Sequence, residues 1–238
     1  MPREQPLVTR LARVSFSIAL PVVLLFSPLY LLVSRAFVRH EYSLSHMPSS
    51  VRFGQEERLA LSDIMIGYLR GWNTAEEMAT LTTQEGIAAL DAREFSHMVD
   101  VKQVMDWFFG AQRVALGLMV LSGVWLLFRS GVADVGRLLQ AGVYVAGALI
   151  LVVVVFSLLD FNTFFTVFHG LFFEDGTWTF WETDTLIQLY PLPFWVDAVW
   201  KLGATILVQL GVVYALGAWL QRQEPTASTA GQDARSDA

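Results

Sequence analysis

Three stretches of this chain run without Asp, Glu, Lys or Arg for about the length of a bilayer crossing, and a fourth comes close. Residues 14–34 give 21 such positions between Arg13 and Arg35, residues 138–159 give 22 between Arg137 and Asp160, and residues 202–221 give 20 between Lys201 and Arg222. Each meets the roughly 20 residues that a helix needs to cross the hydrocarbon core. The fourth stretch, residues 114–128, is 15 long, and carrying it back to Trp107 gives 22 residues that include Arg113. An arginine near a helix end can snorkel to the interface. The pattern predicts an all-α membrane protein with four transmembrane helices at 14–37, 107–128, 138–159 and 202–221. The first run is longer than the 7–15 residues of a signal-peptide core and no small-residue cleavage pattern follows, so it reads as a retained anchor. Pro21 and Pro28 are expected to kink it, with neighbouring helices meeting the freed carbonyls.

The stretches between the spans have their own patterns. Leu59, Ile66 and Leu69 fall at helical spacing within residues 56–70. Thr74-Ala75-Glu76-Glu77 and Thr82-Thr83-Gln84-Glu85 both match the S/T-x-x-E capping box. The second box is read as opening an amphipathic helix from about Gly86 to Phe109 that leads into the second span. Residues 38–106 are therefore expected to form a small helical cap. Thirteen aromatic residues lie from Phe161 to Trp200. That density predicts an interfacial segment over 160–201, at the level where an apolar ring meets a wet edge.

Charge sets the expected orientation. The tail at 1–13 and the short loop at 129–137 carry arginines, as does the tail at 222–238, whereas residues 39–106 hold eleven acidic side chains against six basic ones. By the positive-inside tendency both termini are cytoplasmic and both large loops extracytoplasmic. The polar tail from Glu224 is expected to be disordered. A composition of 54% hydrophobic and 16% charged residues, with a mean hydropathy of +0.48, agrees with the membrane class. The net charge of −6 argues against nucleic acid as a partner. The lack of cysteine removes thiolate nucleophiles, disulfides and Cys-ligated metal.

The remaining candidates for chemistry are histidines, all placed outside by this topology. His40 and His46 sit in a turn-rich stretch and read as solvated. His97 has Glu94 at i−3 and Asp100 at i+3, either of which could orient its ring as the carboxylate of a triad does; the plainer alternative is a charged helix face. His169 stands among phenylalanines, a setting that favours the neutral form a general base needs. Gly170 beside it leaves backbone room for a substrate. The plainer alternative there is a ring satisfied by a neighbouring carbonyl or by Asn162. No G-x-S-x-G, H-E-x-x-H or Walker pattern occurs.

The run F-N-x-F-F-x-x-F-H-x-L-F-F-x-D-x-x-W (Phe161 to Trp178) continues into D-x-L-I-x-L-Y-P-x-x-F-W (Asp184 to Trp195). With E-x-x-H-M-x-D-V-K (Glu94 to Lys102), it resembles the DUF1461 family of bacterial four-span membrane proteins. The resemblance implies a lipoprotein acyltransferase of the plasma membrane that needs no cofactor. Its substrate would be a diacylglyceryl-modified lipoprotein within membrane lipid. The sn-2 acyl chain of the modified cysteine would move to that cysteine's α-amino group, giving the lyso-form lipoprotein. The resemblance implies His97 and His169 as the catalytic pair. Glu94, Asp100, Asn162 and Asp175 are taken as supporting residues, and Phe165, Phe172, Trp178 and Tyr190 as the substrate-binding set. Two other readings remain: a metal-dependent membrane lipid hydrolase using the histidines with Asp100 or Asp175, and a non-enzymatic envelope protein.

Overall fold

The computed structural model describes residues 6–223; the expected disordered tail from Glu224 lies outside the described residues. Among these, the regular secondary structure is helical, with one isolated β-bridge between Thr82 and Ala88. Four helices are long and apolar enough to cross a membrane: α1 (Leu7–Phe26) with its short continuation α2 (Leu29–Leu32), α6 (Ala92–Ser130), α7 (Val132–Leu159) and α10 (Leu192–Gln221). Their buried faces meet in one core that includes Phe16, Leu20 and Leu24 of α1, Leu126 of α6, Val143, Ala146 and Ile150 of α7, and Ile206 of α10.

Small residues set the closest approach in this bundle, as expected where lipid offers no hydrophobic drive between helices. A Cβ added to Gly136 of α7 would lie 2.6 Å from the Gly217 carbonyl of α10, and one added to Gly217 would lie 2.8 Å from the Gly136 carbonyl. Between α6 and α7 the chain reverses at Gly131, whose φ of +85° suits glycine.

The first span runs differently from the expectation. Pro21 sits inside α1, which continues to Phe26, and the break comes at Ser27-Pro28. Side chains from elsewhere in the chain hold the segment around the break. Arg70 donates to the carbonyls of Tyr30 (3.2 Å) and Val33 (3.5 Å), and Gln112 of α6 donates to Ser27 Oγ (3.1 Å). Residues 35–42, part of which was assigned to the span, form the separate helix α3 (Arg35–Tyr42), capped by Ser34.

The cap comprises α3, α4 (Gln55–Leu69), α5 (Ala75–Ala79), α9 (Thr185–Leu189) and the N-terminal ends of α6 and α10. These bury a second core of Phe37, Val38, Leu61, Met65, Met78, Met98, Leu189 and Phe194, among others. The Thr74 capping box forms as expected, with Thr74 N donating to Glu77 Oε2 at 2.7 Å. The Thr82 box does not. Residues 82–88 fold back through a turn with Gly86 at φ +78°, which a right-handed helix cannot contain. The helix starts six residues later than expected, at Ala92, under a box made by Asp91 and Glu94.

α6 is 39 residues long, or about 58 Å. That is nearly twice an apolar core of about 30 Å. Its first four turns carry Arg93, Glu94, Asp100, Lys102 and Asp106, so its membrane part is the second half and His97 stands beyond it. α10 also begins earlier than expected, at Leu192 rather than residue 202. Asp197 and Lys201 looked like loop charges but are met by partners from the first loop. Lys201 pairs with the fully buried Glu41 at 2.6 Å, and His46 Nε2 bonds Asp197 at 2.9 Å.

Candidate active site

Where α7 ends, Asp160 caps α8 (Phe161–Phe172) by accepting from Thr163 N, and the chain turns back toward α6. α8 has no fully buried residue, so its phenylalanines form a surface rather than a core. One turn before its C-terminus is His169. The carbonyl of Phe165 lies 2.8 Å from His169 Nδ1. A carbonyl only accepts, so Nδ1 carries the hydrogen and Nε2 keeps its lone pair. The alternative partner, Asn162, is exposed and makes no bond to this ring.

Opposite stands His97, 8% exposed. The two imidazoles are 6.3 Å apart between ring centres and inclined by only 23°. His97 is flanked by Phe173 (5.0 Å) and Phe180 (5.3 Å), and His169 by Phe165 (3.9 Å), Trp178 (4.9 Å) and Phe173 (5.6 Å). Phe173 thus touches both. Burial disfavours the charged form of each ring. It and the neighbouring His169 push His97 down to about 4. Burial also holds His169 below the ordinary histidine value, against the opposing effect of the Phe165 carbonyl. Both rings are therefore neutral near pH 7.

The supporting carboxylates are elsewhere. Glu94 accepts from Leu186 N (2.8 Å) and Asp91 N (3.0 Å), which pins α9 to the start of α6. It does not reach His97, whose Nδ1 is buried without a partner. Asp100 makes no bond to His97 either, and Asp175 is exposed on the loop after α8. The expectation of a carboxylate-oriented His97 is thus corrected: residues at i±3 share a helix face, but the Glu94 side chain is drawn to backbone donors instead.

Of the aromatic set, Phe165 and Trp178 lie against His169, and Phe172 packs on Phe168 (5.1 Å) and Phe108 (5.5 Å). Tyr190 faces the cap core, next to Phe194 at 5.2 Å. Phe173 and Phe180 were not singled out from sequence, although both belong to the aromatic run. Gly170 is exposed, and a Cβ added there would meet nothing within 4 Å, which leaves that face open. His40 and His46 are exposed. Among the described residues no three metal-ligating side chains gather, so the third ligand required by the hydrolase reading is not at hand.

The fold and site define a polytopic helical membrane protein with a neutral histidine pair in an aromatic enclosure beyond the bundle. The sequence profile described as "Lipoprotein intramolecular transacylase Lit" matches residues 14–195, and this chain belongs to that family. An uncharacterized protein of Aquifex aeolicus is 31% identical over 166 residues, covering 69% of this chain and 73% of its own length. The structure of the lipoprotein intramolecular transacylase Lit from Bacillus cereus superposes with a TM-score of 0.74 at 20% identity, over 90% of this chain and 96% of that one. A variant of that enzyme with one histidine replaced by arginine superposes with a TM-score of 0.70 at 21% identity, over 90% of this chain and 92% of its own.

Proposed function

We propose that this protein moves the sn-2 acyl chain of a diacylglyceryl-modified N-terminal cysteine onto that cysteine's α-amino group, at a site formed by His97 and His169. The observation that carries this reading is the stacked pair at 6.3 Å, with the tautomer of His169 held by a backbone carbonyl. The amine nitrogen attacks the ester carbonyl carbon, a C–N bond forms, the C–O bond to glycerol breaks, and the amine proton ends on the glyceryl oxygen. His169 Nε2 takes that proton as the amine attacks and returns it to the glyceryl oxygen as the C–O bond breaks, while His97 positions that departing oxygen by hydrogen bonding. With both imidazoles neutral at the start, one proton passes through the site and none need come from solvent. The aromatic rings packed around both histidines make the site apolar, which disfavours water as a competitor for the acyl group. Lysine and arginine placement supports cytoplasmic termini, with cap and site on the outer face.

The test is mass spectrometry of a diacylglyceryl lipopeptide incubated with the purified protein. The expected product is an isomer of unchanged mass with one chain amide-linked. Release of free fatty acid, or an unaltered substrate with folded protein, overturns the proposal. A pH series adds a second check. Protonation removes the base, so the histidine-dependent loss of rate is displaced to lower pH than for an ordinary histidine, His169 in that direction and His97 to about 4. Between these values and a free α-amino pKa near 8, the rate follows deprotonation of the substrate amine. The acid limb of kcat/KM is therefore expected below the ordinary histidine value; a limb at or above that value would mean that the pair is not held neutral.

A further inference from the structure

The proposed transfer creates negative charge on the carbonyl oxygen, while His97 is assigned to the departing oxygen and His169 to the amine proton. His169 Nδ1–H is committed to the Phe165 carbonyl, and its Nε2 is the base. Such charge is met in acyl-transfer sites by hydrogen-bond donors set in place beforehand. Among the described residues, three of the buried polar side-chain atoms without a partner belong to aromatic rings of this region: His97 Nδ1, Trp178 Nε1 and Tyr190 Oη. Tyr190 is turned into the cap core, toward Tyr42 and Ser62. His97 already belongs to the pair. Trp178 is different in kind, because an indole N–H can only donate.

We infer that the indole N–H of Trp178 is a catalytic hydrogen-bond donor to the ester carbonyl oxygen of the substrate, binding it most strongly as the oxyanion forms. This rests on the acyl-transfer reading above. Three observations carry it. The ring of Trp178 lies 4.9 Å from that of His169 and 6.5 Å from that of Phe165, so base and donor belong to neighbouring side chains of one aromatic cluster. The N–H is buried with no acceptor, an arrangement that costs free energy until an acceptor arrives. The neighbourhood is aromatic, where a hydrogen bond to a developing charge is stronger than in water.

The experiment uses the full chain with two changes at one position: Trp178→Phe, and Trp178→3-benzothienylalanine, which keeps the bicyclic shape and replaces only the N–H. Both are expected to fold with wild-type thermal stability, to keep KM, and to lose about 10²–10³-fold in kcat. A bulky-packing role would instead show as normal kcat in the sulfur analogue with a defect confined to Trp178→Phe. The inference is overturned if the analogue stays within about twofold of wild-type kcat, including the case in which a buried water accepts the N–H. A second readout separates this from failure of the acyl-transfer reading itself. An anionic phosphonate lipopeptide, shaped like the tetrahedral intermediate, should move the ¹⁵N-labelled Trp178 indole N–H resonance downfield. If the wild type makes no N-acyl product, the function above falls, and an unmoved resonance with phosphonate bound overturns the Trp178 assignment independently.

Discussion

Replacing His169 with asparagine is expected to lower the rate of acyl transfer about 10²–10⁴-fold, the contribution of a positioned general base. An amide can still donate toward the Phe165 carbonyl but offers no basic nitrogen, so the fold should survive while the proton has nowhere to go. His97→Asn is expected to fall in the same range. Because the two rings serve one proton transfer, the double variant should be little worse than the poorer single one. The measurement is single-turnover conversion of a defined lipopeptide, with His40→Asn, exposed at the end of α3, as a control that keeps the wild-type rate. A His169→Asn enzyme retaining more than about a tenth of the rate would remove that residue from the mechanism. Simple multiplicative losses would instead mean that the histidines act on separate steps.

The second large effect is structural. Gly136→Val places a branched side chain where even a Cβ would come within 2.6 Å of a backbone carbonyl of α10. A flexible side chain could move aside, but this carbonyl is part of the helix ladder of α10. Overpacking in a tight core costs about 1–3 kcal/mol and occasionally more, and here α7 and α10 must separate. The expected outcome is loss of most folded protein on size exclusion in detergent, or a strongly lowered thermal midpoint. Gly211→Ala, on the same α10 with nothing within 4 Å of the added carbon, is expected to leave both unchanged. If Gly136→Val matched Gly211→Ala, the helix crossing would not be as close as described.

The bundle was legible in the sequence because lipid imposes a one-dimensional rule, a run of uncharged residues long enough to cross. Boundaries were legible only where no tertiary partner intervened. Asp197 and Lys201 marked a false start for α10, because their partners Glu41 and His46 come from the other end of the chain. The Thr82 box was a local pattern with a rival nine residues on, at Asp91, and only the left-handed Gly86 turn decides between them. The histidines could be named from sequence as chemically suitable, and the family resemblance joined them. Their neighbours could not be named. Helical spacing says which residues share a face with His97, but the direction of the Glu94 side chain depends on Leu186 N, a donor distant in sequence. Phe173 and Phe180 lie beyond the end of α8, where helical periodicity stops and no face can be assigned.

The continuity of α6 has a consequence for how the chain tolerates change in length. His97 and the membrane part of this helix share one rigid axis, and the glycine turn at Gly131 leaves little slack at its far end. One residue inserted between Val114 and Phe128 would rotate everything before it by about 100°, turning the imidazole away from its partner. Seven inserted residues would nearly restore the angular phase yet lift the ring by about 10 Å. Height and azimuth of the histidine are locked to a single integer, the number of residues in one helix.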